Sequence, residues 1–153
     1  VGGTFSDVAT TTNSDSGTLT YSISSGTACT SAGGGTFNIT GAGTCVVRAD
    51  GALTTNYNAA FNTDTVVITK ASQIISFTGP GTGAVGGTYT PAGTATSTLP
   101  VTFTIDSGSS TVCHISAGVV TYDTVGTCTI NADQAGNANY DAAPQVQQPV
   151  TVS

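Results

Sequence analysis

Between Ala28 and Ala60 the chain reads ACTSAGGGTFNITGAGTCVVRADGALTTNYNAA, and between Val112 and Ala143 it reads VCHISAGVVTYDTVGTCTINADQAGNANYDAA. The two stretches share a cysteine before a Gly-centred turn, a second cysteine after a Gly-Thr step, and an Asn-Tyr-(Asn/Asp)-Ala-Ala run further on. Tyr21 answers to Phe103, Cys29 to Cys113 and Tyr57 to Tyr140, at offsets of 82, 84 and 83. The VGGTF that opens at Val1 answers to the VGGTY of Val85 to Tyr89. A repeat of this length in a 153-residue chain means two copies of one unit, assigned here to residues 1–70 and 71–153. Units of that size bury a smaller share of their surface than larger domains do, so a cross-link counts for more in them.

Short alternating apolar and polar runs, broken by Gly, Asn and Asp, predict strands, and no segment carries a helical period of useful length. In the second repeat the expected strands are Gln73 to Phe77, Thr88 to Ser97, Val101 to Ile105, Val112 to Ser116, Val119 to Tyr122, Thr127 to Ala132 and Val146 to Val152. Seven strands at this spacing predict an all-β fold: two tandem immunoglobulin-like β-sandwich repeats. In the first repeat the pattern runs through Leu19 to Ile23, Gly35 to Ile39, Thr44 to Ala49 and Thr65 to Thr69. It departs from the second at Ser14 to Gly17 and Gly33 to Gly35. Nothing ahead of Val1 answers to Gln73 to Phe77, so the first repeat is expected to lack its first strand within this chain. That strand would come from a preceding repeat or from another molecule, by addition to an open edge. Only Lys70, Ala71 and Ser72 separate the units, which predicts a stiff extended junction rather than a loose linker.

Four cysteines at matching places predict one disulfide per repeat, Cys29 with Cys45 and Cys113 with Cys128. Closing loops of this size is worth about 3 kcal/mol on the chain-entropy account. A zinc site fits poorly, because the cysteines do not come as C-x-x-C pairs and His114 is the one histidine available to join them. Disulfides imply an oxidising, extracellular location, secreted or at a cell surface. Eight acids, all Asp, against two basic residues give a net charge of −6. Arg48 and Lys70 cannot form a phosphate-neutralising patch, which argues against nucleic acid as a partner. No run of about 18 apolar residues could span a bilayer as a helix. The absence of Met fits a segment from inside a longer precursor.

The wording VGGTY at Val85 to Tyr89, LPVTFTID at Leu99 to Asp106, GTCTI at Gly126 to Ile130 and QAGNANYDAA at Gln134 to Ala143 resembles the Ig-like tandem repeats of large bacterial secreted and surface proteins, adhesin-like and fibrous. The resemblance covers essentially the whole second repeat and, less closely, the first. It implies a stalk, spacer or fibre body, with neighbouring repeats or other copies of the same protein as partners, and it specifies a fold more than a function.

Features present in both repeats read as architecture, and only a feature confined to one would be a dedicated site. The oxygen-rich loop of Asp133, Asn137, Asn139 and Asp141, with Asp50, Asn56 and Asn58 in the first repeat, offers hard donors of the kind Ca²⁺ takes. Such residues also stabilise turns through their own backbone, and the closing Glu of an EF-hand is missing. No other cofactor is expected. Tyr57 and Tyr140 read as packing tyrosines that tie down a loop, with stacking on sugars as the alternative. His114 has no repeated partner, and no nucleophile elbow or catalytic triad is marked, so no enzyme activity is expected. Asn38-Ile39-Thr40 is a glycosylation sequon. The function expected is a non-catalytic structural repeat of an extracellular fibrous or surface protein, a stiff stalk or self-associating filament body. The alternative is an adhesion or carbohydrate-binding module with glycans as partners.

Overall fold

A computed structural model describes residues 2–15 and 17–153. Val1, which opens the VGGTF correspondence, and Ser16, in the divergent Ser14–Gly17 loop, lie outside the described residues. The chain divides into two compact units, Val1–Ala71 and Ser72–Ser153.

The first unit contains β1 (Thr4–Ser6), β2 (Leu19–Gly26), β3 (Cys29–Gly33), β4 (Thr36–Ile39), β5 (Gly43–Gly51) and β6 (Ala60–Ile68). They form two antiparallel sheets, β1-β4-β3 and β2-β5-β6. Alternation sends Phe37 of β4 and Cys45 and Val47 of β5 inward, where they are fully buried together with Cys29. Phe5 stacks on Phe37 with ring centroids 5.3 Å apart.

The second unit contains β7 (Ile75–Phe77), β8 (Thr82–Gly83), β9 (Thr88–Tyr89), β10 (Gly93–Ala95), β11 (Thr102–Ile105), β12 (Cys113–Ser116), β13 (Val119–Tyr122), β14 (Gly126–Asp133) and β15 (Val146–Val152). One layer carries β12-β13-β9 and the β10-β7 pair, and the other carries β11-β14-β15-β8. The opening segment therefore begins beside β10 and crosses to run parallel to β15, where Thr82 and Gly83 pair with Thr151 and Val152.

The registers of the two units coincide. Cys45 lies opposite Val66 as Cys128 lies opposite Val150, and Tyr21 opposite Ala49 as Phe103 lies opposite Ala132. Phe5 faces Phe37 as Tyr89 faces Val120. The fold is two tandem Ig-like β-sandwiches, each closed by one disulfide, Cys29–Cys45 and Cys113–Cys128, with Cα atoms 5.8 Å apart in both.

Details differ from the strand pattern in the sequence. The expected Thr88–Ser97 strand is broken between Tyr89 and Gly93, where Pro91 supplies no N–H to a ladder. Cys29–Gly33 is a strand although its Thr-Ser-Ala-Gly run looks like loop, because pairing with β4 overrides its weak propensity. The last strand of the first unit starts at Ala60, not Thr65. A 3-10 turn at Ser107–Ser109 is capped by Asp106, whose carboxylate accepts the Gly108 N–H at 3.0 Å.

Candidate functional site: an open flank on the first unit

In the second unit one flank of the sandwich is closed by the segment that includes β7. Gln73, Ile75 and Phe77 alternate inward and are all buried, while Ile74 and Ser76 face out. Phe77 meets Phe103 edge-on at 4.9 Å between centroids. Thr96 donates its N–H to the Ile74 carbonyl at 3.0 Å, and the Ile74 N–H returns to the Thr96 hydroxyl at 3.1 Å. The buried Gln73 amide is matched atom by atom. Its Nε2 donates to Gln134 Oε1 at 2.8 Å and to the Asp141 carbonyl at 2.7 Å, and its Oε1 accepts the Ser97 hydroxyl. A buried amide needs such partners, so this socket specifies glutamine. Further along, Gln148 Nε2 donates to the Phe77 carbonyl at 3.3 Å.

Among the described residues of the first unit, no strand occupies the equivalent flank. Two clefts lie there instead. One, of about 250 Å³, is lined by Asp7, Val8 and Ala9, by Ala49, and by Asn62, Thr63 and Asp64. By register these answer to Pro91–Gly93, Ala132 and Val146–Gln148, the surroundings of Phe77. The other, of about 140 Å³, is lined by Thr11–Asn13, Gly51, Ala52, Tyr57, Asn58 and Ala60. Its Asn13, Gly51 and Asn58 answer to Ser97, Gln134 and Asp141, which hold Gln73. Thr11 is exposed where Ala95 is buried, and Val66 is half-buried where Val150 is fully buried.

The other residues singled out in the sequence fall in separate places. In the second unit Asn137 Oδ1 accepts the N–H groups of Asn139 and Tyr140 at 2.8 and 3.0 Å, so it closes a turn. Asp133 accepts Gln145 Nε2 at 2.9 and 3.1 Å, and Asp141 contributes its carbonyl to Gln73. In the first unit Asp50 pairs with Arg48 at 2.5 Å, and Asn56 bonds to Asp15. No cluster of three or more His, Cys, Asp or Glu occurs among the described residues. The turn itself repeats: Thr54 N–H to Tyr57 carbonyl and Asn137 N–H to Tyr140 carbonyl are both 3.0 Å. The Tyr57 hydroxyl lies 3.2 Å from Ser14 Oγ across the loops. His114 is exposed, its Nδ1 2.8 Å from Asp123. Asn38 is exposed in β4, and Lys70 is exposed.

Sequence reasoning missed Asp15. It accepts Thr54 Oγ1 at 3.1 Å and both the backbone and side-chain N–H of Asn56 at 3.0 and 3.1 Å. The Asn56 side chain foremost, then its backbone, holds the carboxyl below its usual range. It lies in the divergent Ser14–Gly17 stretch, and that divergence was the available signal. Also missed was a face carrying Arg48 3.9 Å above the exposed Phe61 ring, beside Asp50.

No family model and no curated protein matches the chain. Among solved structures it is similar to human protocadherin-24 EC1-2, at 15% identity over 100% of this chain and 89% of that one, with a TM-score of 0.37. Mouse protocadherin-24 EC1-3 is similar at 14% identity over 97% and 57%, with a TM-score of 0.37. A likeness of that degree bears on neither binding nor assembly, and the fold assignment rests on strand order and register.

Proposed function

We propose that this chain is a non-catalytic structural repeat of an extracellular fibrous or surface protein, serving as a stalk or as the body of a self-associating filament. The carrying observation is the duplication itself: one sandwich built twice, with the same registers and the same inter-sheet disulfide. A chain that repeats its scaffold and varies its loops adds length, and disulfides hold that length together where thiols are oxidised. The open flank of the first unit supports completion by a strand from a neighbouring repeat or another chain.

The test is association. Sedimentation of the purified chain across a wide concentration range should show growth into linear assemblies, visible by electron microscopy. A monomer at every concentration, with no fibres in the native source, would sink the filament form. A second reading, an adhesion or carbohydrate-binding module, is favoured by Arg48 stacked on Phe61 beside Asp50. These residues line a cleft of about 310 Å³ with Thr20 and Ala60. An exposed ring beside a charged pair is the chemistry that stacks on sugars. Glycan-array binding lost in Phe61→Ala would favour this reading.

A further inference from the structure

We propose that the outer face of the β2-β5-β6 sheet, at Arg48, Asp50 and Phe61, is a subsite for one neutral pyranose residue of a glycan, a sugar with two adjacent hydroxyls and no ionised group. The inference rests on the carbohydrate-binding reading above and names the class of sugar.

The strands set the site. Alternation along β5 turns Cys45 and Val47 to the core and Arg48 and Asp50 outward. β6 places Phe61 opposite Asp50, and β2 places Thr20 on the other side of it. The Arg48 guanidinium is held from two directions. Its carbon lies 3.9 Å over the Phe61 ring, Nε donates to Asp50 Oδ1 at 2.7 Å, and Nη2 lies 2.5 Å from the same oxygen. Among the described residues no partner is bonded to Arg48 Nη1, to Asp50 Oδ2 or to the Thr20 hydroxyl. These groups line a cleft of about 310 Å³ whose remaining lining is small and apolar, Gly51, Ala52, Ala59 and Ala60.

The same face of the second unit is satisfied by its own amides. Asn131, Asp133 and Gln145 stand where the first unit has Arg48, Asp50 and Phe61. Both oxygens of Asp133 accept Gln145 Nε2, at 2.9 and 3.1 Å, and Asn131 Oδ1 accepts Gln147 Nε2 at 2.9 Å. Gln145 and Gln147 are exposed there with β7 and β8 both in place, so the segment leading into a unit leaves this face uncovered. Phe61 in place of Gln145 frees a carboxylate oxygen and adds a ring that is 62% exposed. The change occurs in one repeat only, which separates it from the scaffold.

What the first unit offers is a fixed donor and a fixed acceptor on one ion pair, beside an apolar wall. A hydroxyl both donates and accepts, so two adjacent ring hydroxyls satisfy Nη1 and Oδ2 together. The C–H face of the pyranose then packs on the open part of the Phe61 ring. Ionised ligands of either sign are disfavoured. A carboxylate or sulfate meets Asp50 and a net charge of −6, and an ammonium meets the guanidinium.

Amide shifts in NMR on the full chain test this. The neutral probes are the methyl glycosides of glucose, galactose and mannose, and the ionised ones are glucuronic acid and N-acetylneuraminic acid. At least one neutral glycoside should move Thr20, Gly51, Ala52 and Phe61 and saturate in the millimolar range, and the acids should bind about tenfold more weakly. Phe61→Gln installs the residue that the second unit carries at this place, and it should abolish the shifts. Asp50→Asn retains an oxygen for Arg48 and removes the repelling charge, so the gap between neutral and acidic probes should narrow several-fold. Acids that bind more tightly than the neutral glycosides, in a manner lost with Phe61→Gln, would overturn the class of sugar and spare the carbohydrate reading. No shift at this face with any probe, or shifts that persist in Phe61→Gln, would overturn the site. Glycan-array hits unchanged by Phe61→Gln would then keep the carbohydrate reading for another surface, and an array without hits would sink both.

Discussion

The two units share the ladder that sets Cys45 opposite Val66 and Cys128 opposite Val150, yet their cores differ in size. The second buries eleven residues in one cluster, and the first buries four. Cys45 and Val47 are as inaccessible as Cys128 and Ile130. Ala49, Val66 and Ile68 are partly open where Ala132, Val150 and Val152 are closed, and Ile39 is half-buried where Tyr122 is buried. Sheet pairing and the disulfide therefore set the scaffold, and the segment from Gln73 to Gly83 completes the core.

The sharpest way to break that contrast is to make the second unit resemble the first. Phe77→Ala removes the aromatic that fills the space between Gly93 and Phe103. An expected loss of about 3–5 kcal/mol, read by chemical denaturation, should be accompanied by faster amide exchange at Ala132 and Val150. An unchanged stability would mean that β7 decorates the core rather than closing it. Next in size is removal of a staple. Cys29→Ala with Cys45→Ala should cost the first unit about 3 kcal/mol. With four buried residues behind it, that unit should then unfold before the second in a two-step melt. The matching pair at Cys113 and Cys128 should leave the second unit folded at room temperature.

A smaller effect of opposite sign is expected at Tyr122. Its ring is 3% exposed and its hydroxyl is buried without a partner. Burial first, and then Tyr89, pushes its phenol above the ordinary tyrosine value. A raised folded-state value means the contribution is intact below the unfolded-chain pKa and is lost as pH rises through the folded one. Tyr122→Phe should stabilise the second unit by about 1 kcal/mol and flatten its alkaline decline. A destabilised variant would show that the hydroxyl has a partner after all.

How much of this was legible in the sequence follows from what is periodic. Strands such as Thr102–Ile105 and Thr127–Ala132 alternate cleanly, and the cysteines sit at matching places, so fold class and pairing could be written down from the letters. The β8 strand, Thr82–Gly83, could not, because two residues of Thr-Gly have no pattern. Gly83 is small because the Tyr122 ring lies against it. The Gln73 socket was equally hidden, since it is assembled from Ser97, Gln134 and Asp141, residues that are distant in the chain. The cleft lined by Asp7 and Asp64 was hidden too, because those residues are distant in the chain.

The smallest effect concerns the loop where the units diverge most. Asp15 gathers Thr54 and Asn56 into one cluster, and its carboxyl lies below the ordinary value because the charged form accepts those bonds. Its folded-state pKa is depressed, so its contribution is present above the unfolded-chain value of about 3.9 and is lost as pH falls through the folded one. Asp15→Asn should lower the melting temperature of the first unit slightly at neutral pH, and the gap from the parent should vanish in strong acid. The second unit has no counterpart of this carboxylate, so its melting should not respond. The site is fully solvated, so screening keeps the effect small, and added salt should shrink it further. A gap that persists in strong acid would mean that the loop is held by shape and not by the charge on Asp15.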